Sequence, residues 1–551
     1  MEKELSYKVK GKIVSSIEKI LSEKEPKTVK NRSYMMKNEK MSFQLAFFND
    51  AHARKHNTLT VSGTLAPYVT LRSVENVPVT YTAPEADDYY IGKTAGLYPD
   101  VLKPLGKMGV VLPCRQWKGI WVSIENKDGL PVGKHTLSFT LTSEENEVLN
   151  TLTYQLEVLD ICAEQNSLVM TNWMHYDCIC QWHKVKPFTN RFYNIFEKYL
   201  EAYVHLGFTM LLVPIFTPPL DTEYGAERMT TQLVQIEVVD GEYKFDFSLL
   251  REFIRFAKEK GIRYFEFGHL FTQWGGKFCP KIVAKKNGKM QKIFGWHVHS
   301  TSAEYVAFLD AFLPRLHQEI LAMGIKEASY LHLTDEPNKS HTESYTKCCE
   351  IVKKHMQGIP ILDALSETVF YEKGLVDVPV ISIEHYDGFV PLAIKNLFVY
   401  CCCYPDHGYY SNRFINMPGL RTRILGMQLY RTGVQGFLHW GFNFYNSVLS
   451  IQPIDPYTVT DAGGFFPGGD GFIVYPTANG VYYSIRAELS KEAMQDYNAL
   501  LTLEKLAGKA VVRTLLDGAN VKGYNVYPRK DKDFIALRNK IYKEIKACLR
   551  N

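Results

Sequence analysis

Between residues 168 and 440 the chain repeats one alternation: a short apolar run, then a longer stretch with helical spacing. The runs are "LVMTNWM" (168–174), "TMLLVPIF" (209–216), "RYFEFG" (263–268), "ASYLHLT" (328–334), "IPILDAL" (359–365), "VPVISIE" (378–384), "LFVYCCC" (397–403) and "GFLHW" (436–440). Helical spacing fills 189–206, 248–260, 302–323, 341–356 and 418–432. Eight such strands with helices between them predict a (β/α)8 TIM-like barrel. The stretch after the third strand, 269–300, is long, as active-site loops often are.

A chain of 551 residues is too long for that barrel alone. Residues 40–160 carry short runs such as "SFQLAFF", "GVVLPC", "GIWVSIE", "HTLSFTLTS" and "NTLTYQLEVLD", separated by turn signals such as "NKDGLPVG". These predict an antiparallel β-sandwich. "CAEQNS" (162–167) reads as a linker. "SIRAELSKEAMQDYNALLTLEKL" opens a helical tail. The expected organisation is a multidomain β plus α/β chain: a sandwich over 1–162, a catalytic barrel over 163–483, and a helical segment over 484–551 packed on the barrel.

Sixty-four basic and 59 acidic residues leave a net charge of +5 and no basic stripe, which argues against a nucleic-acid partner. No apolar run reaches the roughly 20 residues that span a bilayer. The opening "MEKELSYKVKGKIVSSIEKI" is polar and lacks a signal-peptide core, so the sequence as given reads as cytoplasmic, a trimmed leader being left open. The adjacent cysteines Cys348–Cys349 and Cys401–Cys403 read as small buried hydrophobes in a reducing compartment. No CxxC pairs support zinc. His297 and His299 alternate in "GWHVHS" without further ligands at regular spacing, and no metal is expected there. "FPGGDGF" lacks the lysine of a phosphate loop and reads as a turn, with Asp470 a hydrogen-bonding candidate.

The chemistry concentrates at "LHLTDEPNKS" (331–340), where Asp335 and Glu336 stand together at the end of the fourth strand. Catalytic groups of such barrels sit at strand C-termini. The first, sixth and eighth strands end in "NWMHYD", "EHYDG" and "HWGFNFYN", so acids, aromatics and amides share one mouth. That is the profile of a sugar-cleaving site. Two retaining mechanisms fit. In one, two carboxyls about 5–5.5 Å apart divide acid and nucleophile. The seventh strand offers no glutamate for this, leaving Asp406 or Glu384 as nucleophile beside Glu336 as acid. In the other, the substrate's own 2-acetamido oxygen attacks, one acid holds the acetamido N–H, and the other protonates the leaving oxygen. An ionised Asp335 is expected to raise Glu336 and keep it protonated. A carbohydrate-binding protein without turnover is the reading from a different class.

"LTDEP", "GFLHWGFNFYN", "PGGDGFIVYP", "YYSIRAELSKEAMQDYNALL", and upstream "KNEKMSFQLAF" and "YPDVLKPL" resemble glycoside hydrolase family 123, the retaining β-N-acetylgalactosaminidases, over about residues 37–505. The resemblance implies exo-acting, substrate-assisted release of terminal β-linked N-acetylgalactosamine from a glycan or glycolipid, with no cofactor. It makes Asp335 the residue that orients the acetamido group and stabilises the oxazolinium, and Glu336 the general acid, then base. It offers Tyr445 as donor to the acetamido oxygen, and Trp274, Trp296 and Trp440 as pocket walls. Asn172, Trp173, His175 and Asp177, with Glu384, His385, Tyr386, Asp387 and Asn443, are its hydroxyl-binding candidates. Neither the role of the sandwich nor the oligomeric state is legible in the sequence.

Overall fold

A computed structural model describes residues 9–50 and 52–550. Of the polar opening segment, residues 1–8 lie outside the described residues, and Val9–Ser15 form a strand. Two five-stranded sheets make up the N-terminal region. The first runs Val9–Ser15, Met41–Asn49, Gln116–Ile124, Val69–Val79, Gly96–Pro104. The second runs Arg32–Met36, Val148–Leu159, Gly133–Thr142, Arg54–Ser62, Val110–Leu112. Pairing is antiparallel throughout, except where Arg32–Met36 lies parallel to 155–159. Alternate residues of Gly133–Thr142 turn inward, so Leu137, Phe139 and Leu141 meet Phe43, Leu45, Val122 and Leu156 between the sheets. Phe43 stacks on Tyr154 with ring centres 4.0 Å apart.

The eight expected strands close into a barrel of parallel neighbours: β1 (Val169–Asn172), β2 (Met210–Pro214), β3 (Tyr264–Gly268), β4 (Ser329–His332), β5 (Ile361–Leu365), β6 (Val378–Ser382), β7 (Phe398–Tyr400) and β8 (Gly436–His439). Every one falls inside the window read from sequence. Val169, Met210, Leu212, Leu362, Val378, Val380, Phe398 and Leu438 fill the lower lumen. Full helices follow β1, β2, β3 and β4, whereas β5 and β6 are followed only by the single turns Val369–Glu372 and Tyr386–Phe389. The long stretch after β3 holds a hairpin, Ile282–Lys286 and Lys289–Phe294. It joins the hairpin after β2 in one four-stranded sheet.

Helix Ile485–Ala507 begins at Ser484, whose hydroxyl caps Ala487 N–H at 3.0 Å. Its buried charges tie the regions together. Glu488 pairs with Lys40 (2.5 Å) and Arg72 (2.6 Å) of the first sheet region, Arg486 with Asp100 (2.8 Å), and Asp496 with Arg423 (2.8 Å) and Arg538 (3.1 Å). The tail helix therefore packs on the sandwich as well as the barrel. Among the described residues no helix is long and apolar enough to cross a membrane.

Candidate active site

The upper lumen is charged where the lower lumen is apolar. Glu266 of β3 and His332 of β4 point inward, and Asp363 of β5 reaches the same place. His332 Nδ1 lies 2.7 Å from Glu266 Oε1, and Nε2 lies 3.3 Å from Asp363 Oδ1. Nδ1–H donates to Glu266, while Nε2 faces Asp363 across a charge separation without a formed hydrogen bond. Burial alone would push this imidazolium down, but Asp363 and Glu266 hold it up at about 10. Trp173 Nε1–H donates to Glu266 (2.9 Å), while Tyr345 and Thr334 hydroxyls donate to Asp363 (2.9 and 3.2 Å). Since Thr334 N–H also donates to Asp363 (3.2 Å), this carboxylate pins the backbone just before the acidic pair.

Asp335 and Glu336 stand above this imidazolium. Asp335 Oδ1 is 3.9 Å from His332 Nε2, and Gln273 Nε2–H donates to Asp335 Oδ2 at 2.9 Å. Gln273 is itself held by Asp221 N–H (2.6 Å to its Oε1). Glu336 takes a left-handed backbone, φ 45°, a conformation that strains a non-glycine residue and recurs at functional sites. The turn lets the neighbouring side chains leave the strand alternation, and Tyr400 Oη–H of β7 donates to Glu336 Oε1 at 2.7 Å. Trp274, also left-handed at φ 57°, donates its backbone N–H to the Asp335 carbonyl (2.9 Å) and is 47% exposed.

Burial first, then the Glu336 charge, push Asp335 up to about 8, outweighing His332 and Gln273. Glu336 stays partly exposed. The ligand atoms of His332, Asp335 and Asp363 lie within 4.8 Å of one another. Held as an imidazolium by Asp363 and Glu266, the ring offers no lone pair to a metal.

The other candidates lie elsewhere at the mouth. Trp173 is buried beside His269 and His332, its N–H spent on Glu266, as floor rather than wall. Thr171 and Trp173 both reach Glu266, so Asn172 between them faces the other way; its backbone N–H donates to Tyr203 Oη (3.0 Å), and its buried side-chain amide has no partner among the described residues. His175 and Asp177 are committed to Arg228, from the loop after β2. Asp177 takes its Nε and Nη2 (2.8 and 2.6 Å), and His175 Nδ1 accepts from Nη2 (3.1 Å). His175 Nε2–H donates to the Trp440 carbonyl (2.9 Å), and burial with Arg228 pushes the ring down to about 3. Asn443 is used up on the His175 backbone (2.9 and 3.1 Å). Tyr445 is buried with its hydroxyl on the Val474 carbonyl (3.0 Å), away from the pair. Trp296 donates to the Ala226 carbonyl (3.0 Å) among Tyr224 and Phe278. Tyr386 packs on Tyr524 and reaches the Thr432 carbonyl (3.3 Å). Glu384 lies 3.6 Å from His407, which also faces Asp406 (3.2 Å) and Glu85 (3.7 Å). Trp440 borders the lumen and donates Nε1–H to Asp470 (2.9 Å), the hydrogen-bonding role expected of that acid.

Sequence reasoning missed Glu266, His332, Asp363, Gln273, Tyr400 and Arg228. The signal for the first three was a charged residue inside an apolar strand run, "RYFEFG", "YLHLT" and "ILDAL". Tyr400, inside the seventh run "LFVYCCC", ends β7 at the height where barrel catalysis occurs.

Against known proteins, the model of the glycoside hydrolase 123 catalytic domain matches residues 173–503. A Clostridium perfringens structure, described as a family 123 glycoside hydrolase studied for glycolipid glycan hydrolysis, superposes with a TM-score of 0.75 at 15% identity, covering 98% of each chain. A likeness at that identity is one of fold. An endo-β-1,4-mannanase from Thermotoga petrophila (TM-score 0.34, 15% identity, 61% of this chain and 77% of that one) superposes too weakly to carry an argument. So does a β-glucuronidase from Parabacteroides merdae (TM-score 0.29, 10% identity, 90% and 52%). No curated protein sequence matches the chain.

Proposed function

This chain belongs to the glycoside hydrolase 123 family, and from that premise we propose that it is an exo-acting hydrolase releasing terminal β-linked N-acetylgalactosamine by substrate-assisted retention. The observation that carries the mechanism is the adjacent pair itself: Asp335 buried and gripped by Gln273, Glu336 partly exposed and gripped by Tyr400. The other acids of the mouth are occupied. Asp177 is bound to Arg228, Asp470 to Trp440, and Glu384 and Asp406 flank His407. This favours a nucleophile supplied by the substrate over a second enzymic carboxylate. The sugar identity and the exo mode rest on the family.

Two close carboxyls titrate as a unit and hold one proton between them. In the empty site that proton rests on buried Asp335. An acetamido N–H donating to Asp335 favours its ionised form, which leaves the proton to Glu336, where the leaving oxygen needs it. Glu336 then protonates the glycosidic oxygen as the C1–O bond breaks, and the acetamido oxygen bonds to C1. Asp335 balances the charge of the resulting oxazolinium. Water, deprotonated by Glu336, opens the ring at C1 and returns the acetamido group with net retention. Trp274 and Trp440 provide flat faces for the sugar ring, and the glycan of a glycolipid is a fitting source of substrate.

The test is a nitrophenyl panel: β-N-acetylgalactosaminide, β-N-acetylglucosaminide, β-galactoside and β-glucoside, with and without a thiazoline mimic of the oxazoline. Cleavage confined to acetamido sugars, fastest for the galacto epimer and blocked by the thiazoline, supports the reading. Equal cleavage of the plain galactoside overturns it.

A further inference from the structure

We propose that a cavity behind β7 and β8, on the opposite side of these strands from the lumen, binds a small monovalent anion of the halide class between Arg413 and Arg421. The cavity has a volume of about 30 Å³ and is enclosed by the outer faces of the barrel strands, the 411–413 segment, helix Gly419–Arg423 and helix Ile485–Ala507. One water needs roughly 10–15 Å³ of such space, so chloride or bromide fits and phosphate does not.

Its charge is one-sided. Arg413 and Arg421 line it, and no aspartate or glutamate does. Arg421 is fully buried; its Nη2 binds Asp87 (2.5 Å), while Nε and Nη1 have no acceptor among the described residues. Arg413 is 5% exposed and makes no carboxylate ion pair among the described residues. Its Nη2 is shared between His439 Nδ1 and the Gly441 carbonyl (2.6 Å each), and its Nε–H has no acceptor. Ser411 Oγ lines the same space, buried and likewise without a partner. Arg421 is paired with Asp87 and stacks on Tyr89 and Tyr90, whereas Arg413 has as its charge partner only Asp470, which lies beyond His439. His439 Nδ1 accepts from Arg413, so the ring is neutral, and its Nε2 lies 3.4 Å from Asp470 Oδ1 without a hydrogen bond. Burial accordingly draws Arg413 down to about 9.

An uncompensated buried cation is costly, and unsatisfied buried donors add to the cost. A halide cancels the charge and accepts from several N–H and O–H groups without a directional demand. A water would satisfy some donors and leave the charge.

The full chain is melted in sodium chloride, bromide or gluconate at equal ionic strength, and crystals grown in gluconate are soaked in sodium bromide. The expected result is a saturating Tm rise of about 1–3 °C in halide over gluconate. With it comes a bromide anomalous peak between Arg413 Nε, Arg421 and Ser411 Oγ. R413M abolishes the halide-specific rise. If R413M does not fold, the bromide map of the unaltered chain still decides. No peak in the cavity, with water or bromide only elsewhere, overturns the proposal.

Discussion

Two sides of one barrel mouth carry similar residues and opposite states of satisfaction. On the β1 side, His175, Asp177 and Arg228 close on each other, with Asn443 and the Trp440 carbonyl absorbing what remains. The Arg228 cation holds the Asp177 carboxyl below its ordinary range despite burial. On the β4 side, Asp335 is pushed upward, Glu336 is strained and partly open, and both keep oxygens free beyond Gln273 and Tyr400. A satisfied ion cluster is architecture; an unsatisfied one beside an exposed tryptophan is ready to meet a ligand. The residue types alone do not distinguish the two sides.

The comparison breaks most visibly in kinetics. Glu336→Ala should lose about 10²–10⁴-fold in kcat/KM on substrates with poor leaving groups, and much less on an activated phenol. Equal loss on both would remove Glu336 as the acid. On the β1 side the loss should appear in folding instead. Arg228→Met strands the buried Asp177 charge and should cost about 3–5 kcal/mol in denaturant unfolding, with kcat of the folded fraction largely kept. A stable Arg228→Met protein with crippled kcat would move that cluster into the catalytic machinery.

His332 offers a pH test between these extremes. Its folded value of about 10 exceeds the ordinary 6.5, so its stabilisation is fully present below pH 6.5 and is lost as pH rises through about 10. The stability gap between the unaltered chain and His332→Gln should be widest near pH 6 and narrow steadily from about pH 6.5 to about 10. A gap independent of pH would mean that the ring is not an imidazolium. Smaller again, Tyr400→Phe removes one hydrogen bond of about 1 kcal/mol, a loss near fivefold in kcat/KM. That bond favours ionised Glu336, so its removal should shift the alkaline limb of the rate profile upward. For the unaltered enzyme the limb should fall near pH 8, where the pair loses its shared proton. Glu384→Gln should change turnover least, because its carboxylate faces His407.

The barrel was legible because each strand is buried on both faces, and an unbroken apolar run ending in turn residues has few other uses. Edge and surface strands such as Arg54–Ser62, with polar residues on its open face, gave weaker signals. Asp335 and Glu336 could be found because neighbouring acids behind an apolar strand are costly unless used. The rest of the site depends on pairing across the chain. Arg228 lies 53 residues from His175, and nothing local in "NWMHYD" announces that its histidine and acid are already taken. Tyr400 ends β7 and Tyr445 follows β8; the turn at Asn443, bridged to Phe472, sends the Tyr445 hydroxyl to Val474, whereas Tyr400 faces Glu336.

The central claim is that the substrate's acetamido oxygen is the nucleophile and Asp335 its partner. The most direct test is kcat/KM for nitrophenyl β-N-acetylgalactosaminides whose acetamido methyl carries none, one, two or three fluorines. Each fluorine weakens that oxygen as a nucleophile without touching the leaving group. The account predicts a steep, monotonic fall across the series; a flat series would mean that an enzymic carboxylate attacks C1.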